Sequence, residues 1–261
     1  MAKGRFELKY LVTEELARKI AAYAAPWCEP DRHVKPGERD YTITSLYLDT
    51  PGLAFHWAKR KLQFERTKTR VRTYGLLSDG PVFAEIKRRF GDLMVKSRAQ
   101  IDQERWREVA DPNENGDLTT LALSPDGRFT VEDFASQARG LQLRPVVVVR
   151  YEREPYVGLF DSGQRVRLTF DRNLRILRAR ELTLGGDDSK YQSIDYASMF
   201  DTAESRVIVE MKFDVEAPQW MQALIYRFDL CRLAFSKYCA GVDMLQDESY
   251  LQAPQRLVSV C

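Results

Sequence analysis

Basic side chains recur two apart along several stretches of this chain. Lys68, Arg70 and Arg72 are spaced this way, as are Lys96 and Arg98, and Arg165 and Arg167. Mixed sets follow the same period: Arg5, Glu7 and Lys9, Glu85 with Lys87, Tyr151 with Arg153, and Glu210 with Lys212. A period of two places such residues on one side of a strand, so each set is a row of charge on one face. Arg presents a fork that matches phosphate oxygens, and Lys supplies a point charge. Like charges gathered at low dielectric repel, so a lumen walled by such rows would imply a polyanionic ligand. A solvated face of an ordinary antiparallel sheet would give the same alternation strand by strand. The rows are nevertheless dominated by Lys and Arg, while the whole chain carries 40 basic and 38 acidic residues. The carboxylates must therefore concentrate in helices and loops.

The elements that would position these rows are legible from pattern. Strands are expected at Arg5–Val12, Tyr41–Thr50, Glu65–Tyr74, Val82–Arg89, Leu93–Asp102, Arg144–Tyr156, Arg165–Leu174 and Val207–Asp214, where apolar and polar residues alternate. Thr13 is a helix cap with Glu14 and Glu15 behind it. Further helices are expected at about 53–60, at Gln219–Cys231 behind Pro218, and near Lys237–Leu245. Residues 103–141 lose the period of two and read as an inserted helical segment, too short for a substantial core of its own. Gly185-Gly186-Asp187-Asp188 reads as a loop. The alternate residues Phe6, Leu8, Val71, Ile86, Val95, Val166, Leu168 and Ile208 form an apolar face for the helices to cover. The cationic side is then either an open face or, if the sheet curls, the wall of a lumen.

Net charge is +2, which selects no partner by itself. Four cysteines without a CxxC pair and two histidines make a Cys/His zinc site improbable. Cys231 and Cys239 lie in apolar, helix-like surroundings and read as buried free thiols. With no membrane-length apolar run and no apolar leader at the N-terminus, the expectation is a cytoplasmic protein without a transmembrane segment. Aromatics do not interleave with the basic rows in sequence, which argues against nucleic acid. Asp49 and Asp171 read as turn or strand-end residues, and Trp57, Trp106 and Trp220 as packing residues.

Taken in order, Arg5-Phe6-Glu7-Leu8-Lys9-Tyr10, Ser45-Leu46-Tyr47-Leu48-Asp49-Thr50, Lys68-Thr69-Arg70-Val71-Arg72-Thr73-Tyr74-Gly75, Glu85-Ile86-Lys87, Lys96-Ser97-Arg98, Tyr151-Glu152-Arg153, Val166-Arg167-Leu168-Thr169-Phe170-Asp171, Val209-Glu210-Met211-Lys212-Phe213 and Phe235-Ser236-Lys237-Tyr238 resemble the VTC domain. That is the polyphosphate polymerase branch of the triphosphate tunnel metalloenzymes, and the likeness spans roughly residues 4 to 245. It implies an α+β fold, an eight-stranded antiparallel closed β-barrel with helices packed outside; the chain reads as a single domain, and its pattern marks the helical insertion at 103–141 and a C-terminal tail at about 248–261. The likeness also implies transfer of the ATP γ-phosphate onto inorganic polyphosphate with Mn²⁺ or Mg²⁺. By the same likeness Lys9, Arg70, Arg72, Lys87 and Arg153 are catalytic, holding phosphates. Lys96, Tyr151, Arg167, Ser236 and Lys237 bind substrate, joined by Lys68 and Arg98 on the same rows. Glu210 holds metal, and Glu7 and Glu85 are either further metal contacts or ion-pair partners of the lysines. Two positions depart from the pattern. Arg5 stands where hydrolase members begin with Glu, and Ala234 where eukaryotic polymerases often have Lys, with Arg232 as a replacement. A triphosphatase using water as acceptor, and a polyphosphate-binding module without activity, are the competing readings.

Overall fold

The computed structural model describes residues 6–75, 80–91, 93–159, 165–194, 206–246 and 259–260. The Arg5 position and most of the tail lie outside the described residues. Twelve strands are described: β1 Phe6–Thr13, β2 Cys28–Pro30, β3 Tyr41–Asp49, β4 Glu65–Tyr74, β5 Val82–Phe90, β6 Leu93–Ile101, β7 Arg144–Gly158, β8 Arg167–Arg178, β9 Gln192–Ser193, β10 Arg206–Phe213, β11 Arg232–Leu233 and β12 Ser259–Val260. The helices are α1 Glu14–Ala24, α2 Ala54–Arg60, α3 Trp106–Ala110, α4 Arg128–Gly140, α5 Gln219–Arg227 and α6 Lys237–Gln246. Thr13 caps α1 by accepting the Leu16 N–H, with Glu14 and Glu15 in the first turn.

The main sheet runs β1-β10-β8-β7-β3-β4-β5-β6, with β2 paired to β7 and β9 to β8, all antiparallel. Among the described residues no ladder joins β6 to β1. The sheet is therefore an open, curled half-barrel, not the closed barrel expected from the resemblance. The curl is strong enough for Lys87 of β5 to reach Glu7 of β1 at 3.1 Å. Cations crowd the inner face, and their mutual repulsion opposes drawing the two edges into register.

Helices cover the convex side, as the apolar rows require, but Ile208 lies instead on the inner face beneath α6 and Phe6 is left exposed. Ile20 of α1 and Met221 and Leu224 of α5 pack with Tyr10, Leu168, Phe170, Val209 and Met211. Residues 103–141 form a second layer, in which Trp106, Val131 and Phe134 bury against Leu46, Val71 and Ile86. The insertion thus has no core of its own and shares that of the sheet. α6 sits inside the curl at one end, with Tyr238, Cys239 and Val242 against Ile43, Tyr47, Val147, Ile176 and Ile208. No described helix is long and apolar enough to cross a membrane.

One bulge sets the inner surface. Between the pairs Arg150↔Arg175 and Glu152↔Arg172, Tyr151 of β7 faces two residues of β8. Asn173, at φ 49°, supplies the left-handed residue, a conformation that Asn tolerates. The inward phase of β8 changes there, from Arg167, Thr169 and Asp171 to Leu174 and Ile176.

Asp49 is more than a strand-end residue. Its fully buried carboxylate accepts N–H bonds from Thr50, Phe55 and His56, and the Tyr238 hydroxyl donates to it. It joins β3, α2 and α6. Asp49→Ala strands buried donors, so a loss of about 2–3 kcal/mol is expected in equilibrium urea unfolding.

Two other expectations are corrected. Cys231 is exposed beyond the end of α5 and disulfide-bonded, while Cys28 and Cys239 are free and buried. Free thiols therefore no longer argue for a reducing compartment. Trp106 is buried and Trp220 stacks on Trp27, but Trp57 is 47% exposed and is not a core residue.

Candidate functional site

The concave face gathers the rows. Lys9 comes from β1, Lys68, Arg70 and Arg72 from β4, Lys87 from β5, Lys96 and Arg98 from β6, Arg153 from β7, Lys212 from β10 and Lys237 from the start of α6. Among the described residues, the carboxylates that meet these cations are Glu7, Glu85, Asp171 and Glu210. Their placement decides what each cation is free to do.

Glu85 is 1% exposed and surrounded. Arg70 donates from Nε at 2.7 Å and Lys96 from Nζ at 2.6 Å, while Arg98 Nε stands 3.4 Å and Arg72 NH1 4.0 Å away. Burial alone would raise the carboxyl pKa, yet Arg70, Arg72 and Lys96 hold it well below the usual range. Both oxygens are engaged by cations, so Glu85 anchors the β4–β6 row. Tyr47 and Ser45 of β3 complete that row. Arg70 donates to the Tyr47 hydroxyl at 2.9 Å and Arg72 to Ser45 Oγ at 2.9 Å, with the Tyr151 hydroxyl 3.4 Å from Arg72.

The second cluster centres on Glu210, 4% exposed. Lys212 lies 2.6 Å away, Arg153 3.1 Å, Lys237 3.3 Å and Lys9 3.6 Å. Arg153 also grips Asp171 through both nitrogens at 2.6 and 2.7 Å, and Lys237 donates to the same carboxylate at 2.5 Å. Glu7 pairs with Lys9 at 2.9 Å and Lys87 at 3.1 Å. Glu7 and Glu210 thus share Lys9. Burial opposes charge on both carboxylates, but neighbouring lysines keep both well below the usual range.

Lys68 has a different setting. It donates to Ser236 Oγ at 2.8 Å and meets no carboxylate among the described residues. Burial, together with Lys9 and Lys87, pulls its pKa down to about 8. Burial would raise the Tyr47 phenol, but Arg70, Arg72 and Lys68 bring it down to about 8. With Lys96 brought down to about 7 and Lys212 to about 8, both by burial, these groups give the trough a pH response. Above pH 8 Lys68 loses its charge and Tyr47 gains a negative one, so polyanion affinity is expected to fall between pH 7 and pH 9. For one group the slope approaches about tenfold per pH unit. The folded Lys68 pKa lies below the unfolded value of 10.5, so between about pH 8 and 10.5 the unfolded chain binds more protons. The empty fold therefore gains stability from about pH 8 upward, so the upper part of the window in which affinity falls is one in which the fold strengthens. Titrating polyphosphate across pH 7–9 checks this, and Lys68→Gln should lessen the slope without abolishing it, since Tyr47, Lys96 and Lys212 still titrate.

The trough opens, at the end away from α6, into a cavity of about 1310 Å³ lined by Tyr41, Phe83, Arg98, Arg153 and Arg167 among others. Arg167 is half-buried at this mouth and paired with Asp31 at 2.6 Å, apart from the Glu85 and Glu210 clusters. At the other end Lys9 donates to the Phe235 carbonyl at 3.2 Å, so Phe235–Lys237 lies across the trough floor. Arg232 does not replace a cation at Ala234. It is exposed, close enough to act on the Tyr10 phenol, whose ring packs on the convex side.

Asp171, Tyr47 and Ser45 belong to the site although the sequence reading gives them no role there, and Lys212, which it places only as a row member beside Glu210, pairs with that carboxylate. Lys212 and Asp171 continue the inward rows of Glu210 and Arg167, so spacing contained the signal. Aromatic rings do alternate with the cations in space, contrary to the reading from sequence. Guanidinium carbons lie 5.6 Å from the Tyr47 ring (Arg70), 3.7 Å from Phe83 (Arg98) and 5.3 Å from Tyr151 (Arg153). Those faces are occupied by arginine.

The family model described as the VTC domain matches residues 4–246. A curated relative, vacuolar transporter chaperone complex subunit 4 of Schizosaccharomyces pombe, is 22% identical over 230 residues, covering 79% of this chain and 32% of its own length. The chain thus spans about a third of that relative. Similar solved structures include a putative adenylyl cyclase from Hippeastrum, described as having a dominant triphosphatase activity, with a TM-score of 0.49, 14% identity, and 92% of this chain and 96% of that one covered. A protein of Pyrococcus horikoshii gives 0.45 at 13% identity, with 92% and 97% covered. A putative adenylate cyclase from Vibrio parahaemolyticus gives 0.44 at 10% identity, with 95% and 100% covered.

Proposed function

Because this chain belongs to the VTC domain family, we propose that it is a polyphosphate polymerase, moving the γ-phosphoryl group of ATP onto the end of an inorganic polyphosphate chain held in the trough. The observation that carries the reading is the excess of cations over carboxylates among the described residues of the concave face, along one continuous surface. Phosphoryl transfer asks a protein chiefly for in-line positioning and for charge neutralisation. Arg70, Arg72, Lys87 and Arg153 hold the phosphates. Lys9, between Glu7 and Glu210, orients the acceptor. That acceptor is a terminal phosphate, already ionised, so no strong general base is required. Lys68, Lys96, Arg98, Tyr151, Ser236 and Lys237 line the path of the chain, and Arg167 guides it at the mouth.

Glu7 and Glu210 fit a divalent ion, Mn²⁺ or Mg²⁺. Both are ionised, and they converge on one lysine ammonium. Among the described residues no set of three His, Cys, Asp or Glu side chains could hold a metal. Phosphate oxygens and water would complete the coordination, as suits Mg²⁺. When bound, the ion neutralises charge on the transferring group. Glu85 serves as an ion-pair anchor.

The test is incubation with γ-labelled ATP and Mn²⁺, with products resolved on a gel. A ladder of long phosphate chains, absent in Glu210→Ala, supports the polymerase. Release of orthophosphate alone would reassign the trough to triphosphate hydrolysis. Tight, salt-sensitive polyphosphate binding without turnover would leave a binding module.

A further inference from the structure

The convex face carries a polar row that the trough does not use. Cross-strand register aligns Thr73 of β4, Thr44 of β3, Arg150 of β7, Arg175 of β8 and Ser193 of β9. The row borders an apolar core that includes Leu46, Val148 and Tyr191, with Leu177 packed on it. Two arginines stand directly opposite each other in it, an arrangement that destabilises a sheet unless an anion lies between them. The anion present is Asp188, from the Gly185-Gly186-Asp187-Asp188 loop. It is a poor fit. Its side chain is 65% exposed, bonded to Arg150, and 3.8 Å from Arg175. Arg150 also donates to Thr44 Oγ1 at 3.3 Å and lies 4.3 Å from the Tyr191 ring centroid.

Polar atoms remain unused around this carboxylate. Arg175 Nε and the hydroxyl of Tyr191 are buried with no hydrogen-bond partner, and Tyr191 is only 9% exposed. The Tyr191 phenol is raised by burial and feels the charges of Arg150, Asp188 and Arg175, which places all four groups together. Two guanidiniums with spare donors and an unpartnered hydroxyl suit a tetrahedral oxyanion, with more acceptor atoms than one carboxylate.

We propose that Arg150, Arg175 and Tyr191 form a second phosphate-binding site on the convex face, occupied by Asp188 as an internal stand-in until a phosphoryl group displaces it. Asp188 swings out with its exposed turn, Asp188–Lys190, and the phosphoryl oxygens take both arginines. The ligand is inorganic phosphate or the terminal phosphate of a longer chain. This inference does not depend on the reaction assigned to the trough.

Tungstate, a tetrahedral oxyanion, is the probe. Crystals of the full chain soaked in it should show an anomalous peak between Arg150 and Arg175, separate from any in the trough. Asp188→Asn should tighten phosphate binding at this site about fivefold, the factor equivalent to about 1 kcal/mol for loss of an exposed competing ion pair. Arg175→Gln should abolish the peak, and thermal unfolding reports whether that variant folds. Displacement of tungstate by orthophosphate at lower concentration than by polyphosphate identifies free phosphate as the ligand, and the reverse order identifies a chain end. Tungstate confined to the trough in both the native chain and Asp188→Asn overturns the proposal.

Discussion

Arg153→Met is expected to cost the fold about 3–5 kcal/mol, the loss typical of breaking a buried ion pair from one side. Arg153 supplies two of the three hydrogen bonds that reach Asp171, a side chain with no exposure, and one of those that reach Glu210. Without it, Lys237 alone serves Asp171 and is shared with Glu210. For a chain of this size the midpoint of thermal unfolding should fall by roughly 10 °C. The double variant Arg153→Met, Asp171→Leu should recover much of the loss, because it removes the orphaned charge along with its partner. A single variant that unfolds within about 1 kcal/mol of the native chain would show that water reaches Asp171 and that the pair is not buried in solution.

Arg70→Ala is expected to do the opposite, sparing the fold and removing the activity. Glu85 keeps Lys96 at 2.6 Å, Arg98 at 3.4 Å and Arg72 at 4.0 Å, so no buried carboxylate is left alone. If the trough transfers phosphoryl groups as proposed, Arg70 is one of its preorganised donors. Removing such a donor typically costs about 10²–10³ in rate. Arg70→Lys should recover only part of it, since a lysine cannot reproduce the fork that meets Glu85 and Tyr47 together. The readout is the initial rate of label incorporation at saturating ATP. An unchanged rate in Arg70→Ala would move the reacting phosphate away from the β4 row.

The contrast between these two arginines shows what the sequence did and did not disclose. Both were visible as members of basic rows, because a period of two is a local property of the chain. Strand bounds such as Glu65–Tyr74 follow from the same locality. Which carboxylate each arginine meets is a long-range matter: Glu210 is 57 positions from Arg153 and faces it only through β8. Asp171 reads from sequence as a strand-end residue; its place as the last member of the inward row is set by the bulge at Asn173, which only the paired strands reveal. The open seam between β6 and β1 was equally hidden. It depends on the balance between backbone pairing and repulsion across the curled sheet, which no stretch of neighbouring residues encodes.

The pairing of β1 with β10 sets Phe6 against Phe213. The trough carboxylates Glu7 and Glu210 therefore come together only when strands about 200 residues apart meet. At about 5–20 residues per second of synthesis, β1 waits roughly 10–40 s for its partner to emerge. During that interval the outward residues Leu8, Tyr10 and Val12 have no sheet neighbour on the β10 side to cover them. Folding should accordingly be slow for the size of the chain, as non-local pairing dictates. The interval before β10 arrives is when the nascent chain is most exposed to aggregation, and when a chaperone would have most to hold.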